Sequence, residues 1–140
     1  MDGGMTLSFL LGAALADAAS HLLHRLQHCS FRLTDLHKRR HHTVYATQFY
    51  TKSNESWLPS HTDLDESVVL FLMPFALYAI GFETVVCVSN ALALALTFYL
   101  HTAAHNKALY CPQWYRNRHK AHHANPSSNF SLLSPVFDCV

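Results

Sequence analysis

Ten of the twelve histidines in this 140-residue chain fall into four tight clusters: His24/His28, His37/His41/His42, His101/His105 and His119/His122/His123. The clusters form two groups that flank a long apolar stretch, and this placement limits the folds open to the chain. Imidazole donates a lone pair at neutral pH and is the commonest side-chain ligand for iron, zinc and copper. Ten imidazoles are too many for one ion and suit two. If both groups serve one centre, the chain must return to the same end after crossing the apolar stretch.

Charge supports that reading. The formal net charge is +1, which gives no reason to expect nucleic acid as a partner. Every Lys and Arg lies in the two histidine-bearing segments, and none lies before Arg25 or between Lys52 and Lys107. In a membrane protein this asymmetry is the positive-inside signal, and it places both histidine groups on the cytoplasmic side; a soluble protein would present the same residues as a basic face. The four cysteines, Cys29, Cys87, Cys111 and Cys139, have no CxxC spacing and read as reduced thiols.

Residues 1–140 read as a single domain with three apolar segments. The first, from Met5 to Ser20, continues in helical pattern through His28. Its Ala16-Asp17-Ala18 loosely resembles a signal-peptide cleavage site, but the basic residues that open such a signal are missing. The second, Ser67 to Phe82, carries Pro74, and the third, Thr84 to Leu100, is rich in Ala and Leu. Gly81-Phe82-Glu83 leaves almost no loop between them, which predicts a helical hairpin. Sixteen or seventeen helical residues reach about 25 Å, short of the roughly 30 Å hydrocarbon core, so each segment is a marginal span. Trp57, Tyr78, Phe82, Tyr99 and Trp114 stand where interfacial aromatics would be useful. The expected fold is all-α: an integral membrane helical protein with one N-terminal apolar helix, a helical hairpin and a cytoplasmic histidine-rich helical cap that holds a di-metal site. A soluble bundle with buried helices is the alternative on length alone. The polar segment from Thr43 to Glu66 reads as a connection, and its lone His61 as a solvated side chain.

On a helix, residues four apart share a face, so His24/His28 and His101/His105 can each present two rings to one place, and His119, His122 and His123 present three within one turn. Asp17, His21, His24 and His28 continue one stripe. An acid on a ligand-bearing face near a membrane is costly without a partner. Asp17 is therefore a candidate to accept a hydrogen bond from a ligating imidazole and fix its tautomer, and His21 is a candidate for a supporting role on the same face. If the second cluster is a regular helix, His37 and His41 share a face while His42 points about 140° away from His37, so all three can ligate only where the helix ends or bulges.

The stretch Asp17-Ala-Ala-Ser-His-Leu-Leu-His24-Arg25-Leu-Gln-His28 resembles the D-x-x-x-Y-x-x-H-R-x-x-H pattern of the fatty acid hydroxylase/sterol desaturase superfamily, membrane-bound histidine-box di-iron oxidases. His21 takes the usual aromatic position. Leu36-His37-Lys38-Arg39-Arg40-His41-His42 is similar to that family's L-H-K-x-H-H with one residue added, and His101-x-x-x-His105 and His119-x-x-His122-His123 correspond to its last two boxes. Asn125 to Asp138 resembles the stretch that closes the family's domain, which makes Asn125 and Asp138 further candidates to support the ligands.

The resemblance implies an O2-dependent oxidoreductase of monooxygenase or desaturase type that acts on a C–H bond of a membrane lipid: a fatty acyl chain, a sterol or a sphingoid base. It implies two Fe ions held by the ten clustered histidines, with Zn able to occupy the site in purified protein and no catalytic residue separate from the metal ligands. It also implies electrons from NAD(P)H through cytochrome b5 and its reductase or an equivalent donor, and residence in the endoplasmic reticulum, or a plastid membrane, with the metal site facing the cytoplasm. The chain carries no haem-binding or nucleotide-binding glycine motif of its own, so the reductant is expected to be external. Family members usually have another apolar hairpin before the first box and run on past the closing stretch. That difference fits a minimal or truncated domain, or a homo-oligomer whose subunits complete one another's pocket. Two other classes remain: a catalytically inactive metal-binding or scaffold homologue, and a metal transporter, which the lack of acids inside the hairpin helices disfavours.

Overall fold

The computed structural model describes residues 3–28, 41–45, 49–50, 64–128, 133–134 and 136. Among these, all regular structure is helical: α1 (Gly3–Gln27), a single turn α2 (Thr43–Tyr45), α3 (Leu64–Ala79), α4 (Thr84–His105) and α5 (Gln113–Ala124). α1 packs along α4, α3 packs mainly on α4, and α5 sits against the C-terminal end of α4. α1 and α4 are long and apolar enough to cross a membrane. Their 25 and 22 residues reach about 37 and 33 Å. The apolar segments alone are shorter because each helix runs on without a break into its histidine pair, so the polar end of the helix adds the missing length.

The contact between α1 and α4 is rich in small and polar residues. The face of α1 that meets α4 is made of Gly12, Ala16, Asp17 and Ser20, and the opposing face of α4 is built largely from Ser89, Asn90, Ala93 and Thr97, all buried. The large apolar side chains point outward: Leu7 is 70% exposed, Phe71 70% and Leu92 58%, alongside Leu10, Leu22, Phe75 and Leu96. Water offers no reason to bury serine and expose leucine. Lipid does, because in hydrocarbon helices associate through small residues that allow close approach and through interhelical hydrogen bonds.

Gly12 marks the closest crossing. Asn90 Nδ2 donates to Gly12 O at 3.1 Å, and a β-carbon on Gly12 would overlap Val86 O and Ser89 Oγ. The serine can rotate away, but the backbone carbonyl cannot. Gly12→Ala is therefore expected to destabilise the α1–α4 pair by about 1–3 kcal/mol, the usual cost of overpacking. Thermal unfolding in detergent checks this, with Gly4→Ala as the neutral control because nothing lies within 4 Å of a β-carbon there.

The hairpin turn has a defined form. Phe82 N–H donates to Leu77 O at 3.0 Å and Gly81 N–H to Tyr78 O at 3.1 Å, a Schellman closure of α3 with Gly81 at φ 94°, in the left-handed region. Ser8 Oγ donates to Glu83 Oε2 at 2.7 Å and ties the start of α1 to the hairpin tip. At the other end, Arg116 Nη2 donates to Ala103 O, Leu109 O and Asn106 O at 3.1, 3.3 and 3.5 Å. One guanidinium thus gathers carbonyls at the C-terminus of α4, where positive charge is favoured, and fixes α5 beside it.

Candidate metal centre

The topology brings both histidine groups to one end of the bundle. His24 and His28 come from α1, His101 and His105 from α4, and His119, His122 and His123 from α5. His41 and His42 form a wide π-type turn immediately before α2. That irregularity lets the neighbours His41 and His42 both face inward, each toward a different set of partners. His37 and His61 lie outside the described residues.

Nine imidazoles meet, and they sort into two sets. In one, His24, His28, His42 and His122 place one ligand atom each within 4.8 Å of the others; in the second, His41, His101, His105 and His119 do the same. Within the first set, His24 and His28 Nε2 are 3.3 Å apart and His42 and His122 Nε2 3.1 Å. Within the second, His105 Nε2 lies 3.1 Å from His41 Nε2 and 2.8 Å from His119 Nε2. His123 joins the sets: its Nε2 is 3.0 Å from that of His41 and 3.2 Å from that of His119, and its ring stacks on His42 at 4.3 Å.

Tautomers are fixed from behind. His105 Nδ1–H donates to Phe49 O at 2.7 Å, and His122 Nδ1–H donates to Ser128 O at 2.6 Å. With the ring proton used on the outer nitrogen, each neutral imidazole turns an Nε2 lone pair into the cluster. Tyr45 stacks on His105 at 3.9 Å and holds its plane. Lone pairs that face one another at about 3 Å repel unless a proton or a cation stands between them, so the donor set fits metal ions.

Burial keeps the rings neutral. His42 is pushed down to about 2, first by removal from water and then by repulsion from His122 and His28. His119 is held well below the ordinary imidazole range by burial and by the charges that His101 and His105 would carry, and His123 is lowered in the same way. Imidazoles that stay neutral in acid are imidazoles available to metal.

Asp17 and Asn125 bond to groups other than the imidazoles expected of them. Asp17 is buried, but its oxygens accept from Ser134: Oδ1 takes the backbone N–H at 3.2 Å and Oδ2 takes the hydroxyl. It anchors a distant segment rather than orienting a ring. Asn125 closes α5 instead of touching an imidazole: its N–H donates to Ala121 O, and its Oδ1 accepts from Ser127 Oγ at 2.6 Å. His21 is half-buried on α1 and belongs to neither set. Asp138 lies outside the described residues. Phe49 and Ser128 act through backbone carbonyls, which leave no mark in the sequence.

Neither curated proteins nor solved structures give a match to this chain. A sequence profile described as Fatty acid hydroxylase matches residues 9–140, which include all four histidine clusters, Asp17 and the closing stretch. With two sets of converging imidazoles at the end of lipid-type helices, the chain belongs to the fatty acid hydroxylase family.

Proposed function

We propose that the chain is an O2-dependent oxidoreductase of hydroxylase or desaturase type, inserted in a membrane, that acts on a C–H bond of a lipid at two iron ions. The observation that carries this reading is the pair of buried four-histidine sets at the end of helices whose outer surface is apolar. His24, His28, His42 and His122 would hold one ion, and His41, His101, His105 and His119 the other, with His123 beside the second and His37 a further candidate. When bound, the irons supply activation of dioxygen for attack on an unactivated C–H bond. In hydroxylation, one dioxygen, two electrons and two protons convert the C–H bond to C–OH and release one water.

The chain's own residues do the rest. Phe49 O and Ser128 O hold ring protons on the outer nitrogens, so His105 and His122 meet the ions in one orientation. Leu100, Ala103, Ala104 and Tyr115 pack into an apolar cluster beside the α4 and α5 ligands, which keeps water from the reacting centre. The lipid-facing belt of α1, α3 and α4 brings an apolar substrate to the same end of the bundle. The Lys and Arg distribution supports a cytoplasmic position for that end, where an external one-electron carrier, cytochrome b5 with its reductase or an equivalent fed by NAD(P)H, would deliver electrons. The endoplasmic reticulum is the proposed membrane.

Metal analysis of detergent-solubilised protein and lipid profiling of cells that express it test the reading together. About two ions per chain and an oxidised or desaturated lipid that disappears with His105→Ala are expected. Fewer than one ion per chain overturns the di-metal assignment; two ions without any histidine-dependent product favour a metal-binding scaffold.

A further inference from the structure

Three ligands of the first metal set come from two helices, α1 and α5, that meet through the ligand rings themselves. His24 and His28 lie on α1 and His122 on α5, yet α1 packs on α4 and α3, and α5 packs on α4. The α1 and α5 ligands themselves touch, His24 and His28 lying 4.6 and 4.8 Å from His122 between ring centroids, and Leu133-Ser134 adds a second link between the two helices. Ser134 gives its N–H and its hydroxyl to the two oxygens of Asp17 on α1, and its carbonyl accepts from Arg118 Nη2 on α5 at 3.3 Å. Leu133 packs against both apolar clusters, the one around Ala16, Ala93 and Leu94 and the one around Leu100, Ala103 and Tyr115. Ser128, on the near side of the same segment, orients His122 through its carbonyl.

We propose that Asp17 is a positioning residue for the first ion: through Ser134 it sets the distance between the α1 ligands His24 and His28 and the α5 ligand His122. This rests on the reading of the two sets as metal sites. The geometry gives the role its selectivity. Three of the four ligands of the second set, His101, His105 and His119, stand on α4 and α5, which meet directly and are fixed by Arg116, so that set does not need the strap. A small half-buried serine that gives both its donors to one carboxylate, with a third bond to the opposite helix, links the two helices independently of the imidazole contacts.

The test counts cobalt(II) ions per chain in purified full-length protein and follows their visible spectrum, with wild type, Asp17→Ala, Asp17→Asn, Ser134→Ala and His24→Ala compared. The expected result is two ions in wild type and one in His24→Ala. In Asp17→Ala and Ser134→Ala, the first ion binds about 10- to 100-fold more weakly while the second keeps its spectrum and affinity. Asp17→Asn retains one acceptor for Ser134 and loses less. Asp17→Ala combined with His24→Ala costs no more than His24→Ala alone. Hydrogen exchange on the metal-free protein gives a second readout, with faster exchange at Ser134 and along α5 expected in Asp17→Ala. Two ions of unchanged affinity in both strap variants overturn the proposal, and so does loss of both ions together. A wild type that binds no cobalt defeats the metal reading instead, and in that case unchanged α5 exchange in Asp17→Ala overturns the strap.

Discussion

Replacing His41 and His42 one at a time with alanine is expected to empty a different site in each case, although the two residues are adjacent in the chain. His42 faces His24, His28 and His122, whereas His41 faces His101, His105 and His119. Each single variant should retain about one ion of two, and each should reduce lipid product by at least about 100-fold, since removing even an outer partner of a metal ligand commonly costs 10- to 100-fold. Combination with His122→Ala separates the sites. His42→Ala with His122→Ala should lose no more metal than either change alone, while His41→Ala with His122→Ala should lose both ions, a coupling pattern read directly as a double-mutant cycle. If His41→Ala and His42→Ala prove interchangeable in every combination, the division of ligands is wrong.

The second large effect is expected in acid. His42, His119 and His123 have folded pKa values below that of an unfolded imidazole, near 6.5. The sign follows: below about 6.5 the unfolded chain takes up protons that the folded one refuses, so stability falls as pH drops. It continues to fall down to the folded values, about 2 for His42. Each ring kept neutral costs at most about 1.4 kcal/mol per pH unit in that window. Ion release adds to this in the same direction, because released ligands protonate. Metal content and helical signal, followed together from pH 7.5 to about pH 4.5, should therefore be lost in one steep transition. Graded loss of metal from a protein that stays folded would show that the imidazoles titrate individually, against the burial described here.

Much of this arrangement can be read from spacing. The four-residue intervals His24/His28 and His101/His105 place two rings on one face of a straight helix, and Gly81 between two apolar runs marks the turn. The sorting of ligands could not be read, because it depends on a bulge at His41-His42 and on the seat that Arg116 gives α5, both products of tertiary packing. Asp17 shows the same limit. Its place on the ligand-bearing stripe was legible as a demand for a partner, but that partner is a serine far along the chain. The apolar spans of α1 and α4 read as marginal because hydropathy ends where the histidines begin, while backbone hydrogen bonding does not.

The strap also bears on the order of biogenesis. A ribosome delivers His24 and His28 early and His122 late, with Ser134 later still. Until Ser134 reaches Asp17, the first helix carries half a site, able to hold a stray cation but not to enclose it. On the metal reading proposed above, metallation of that site would be a closing event, coupled to synthesis of the segment that carries Ser134.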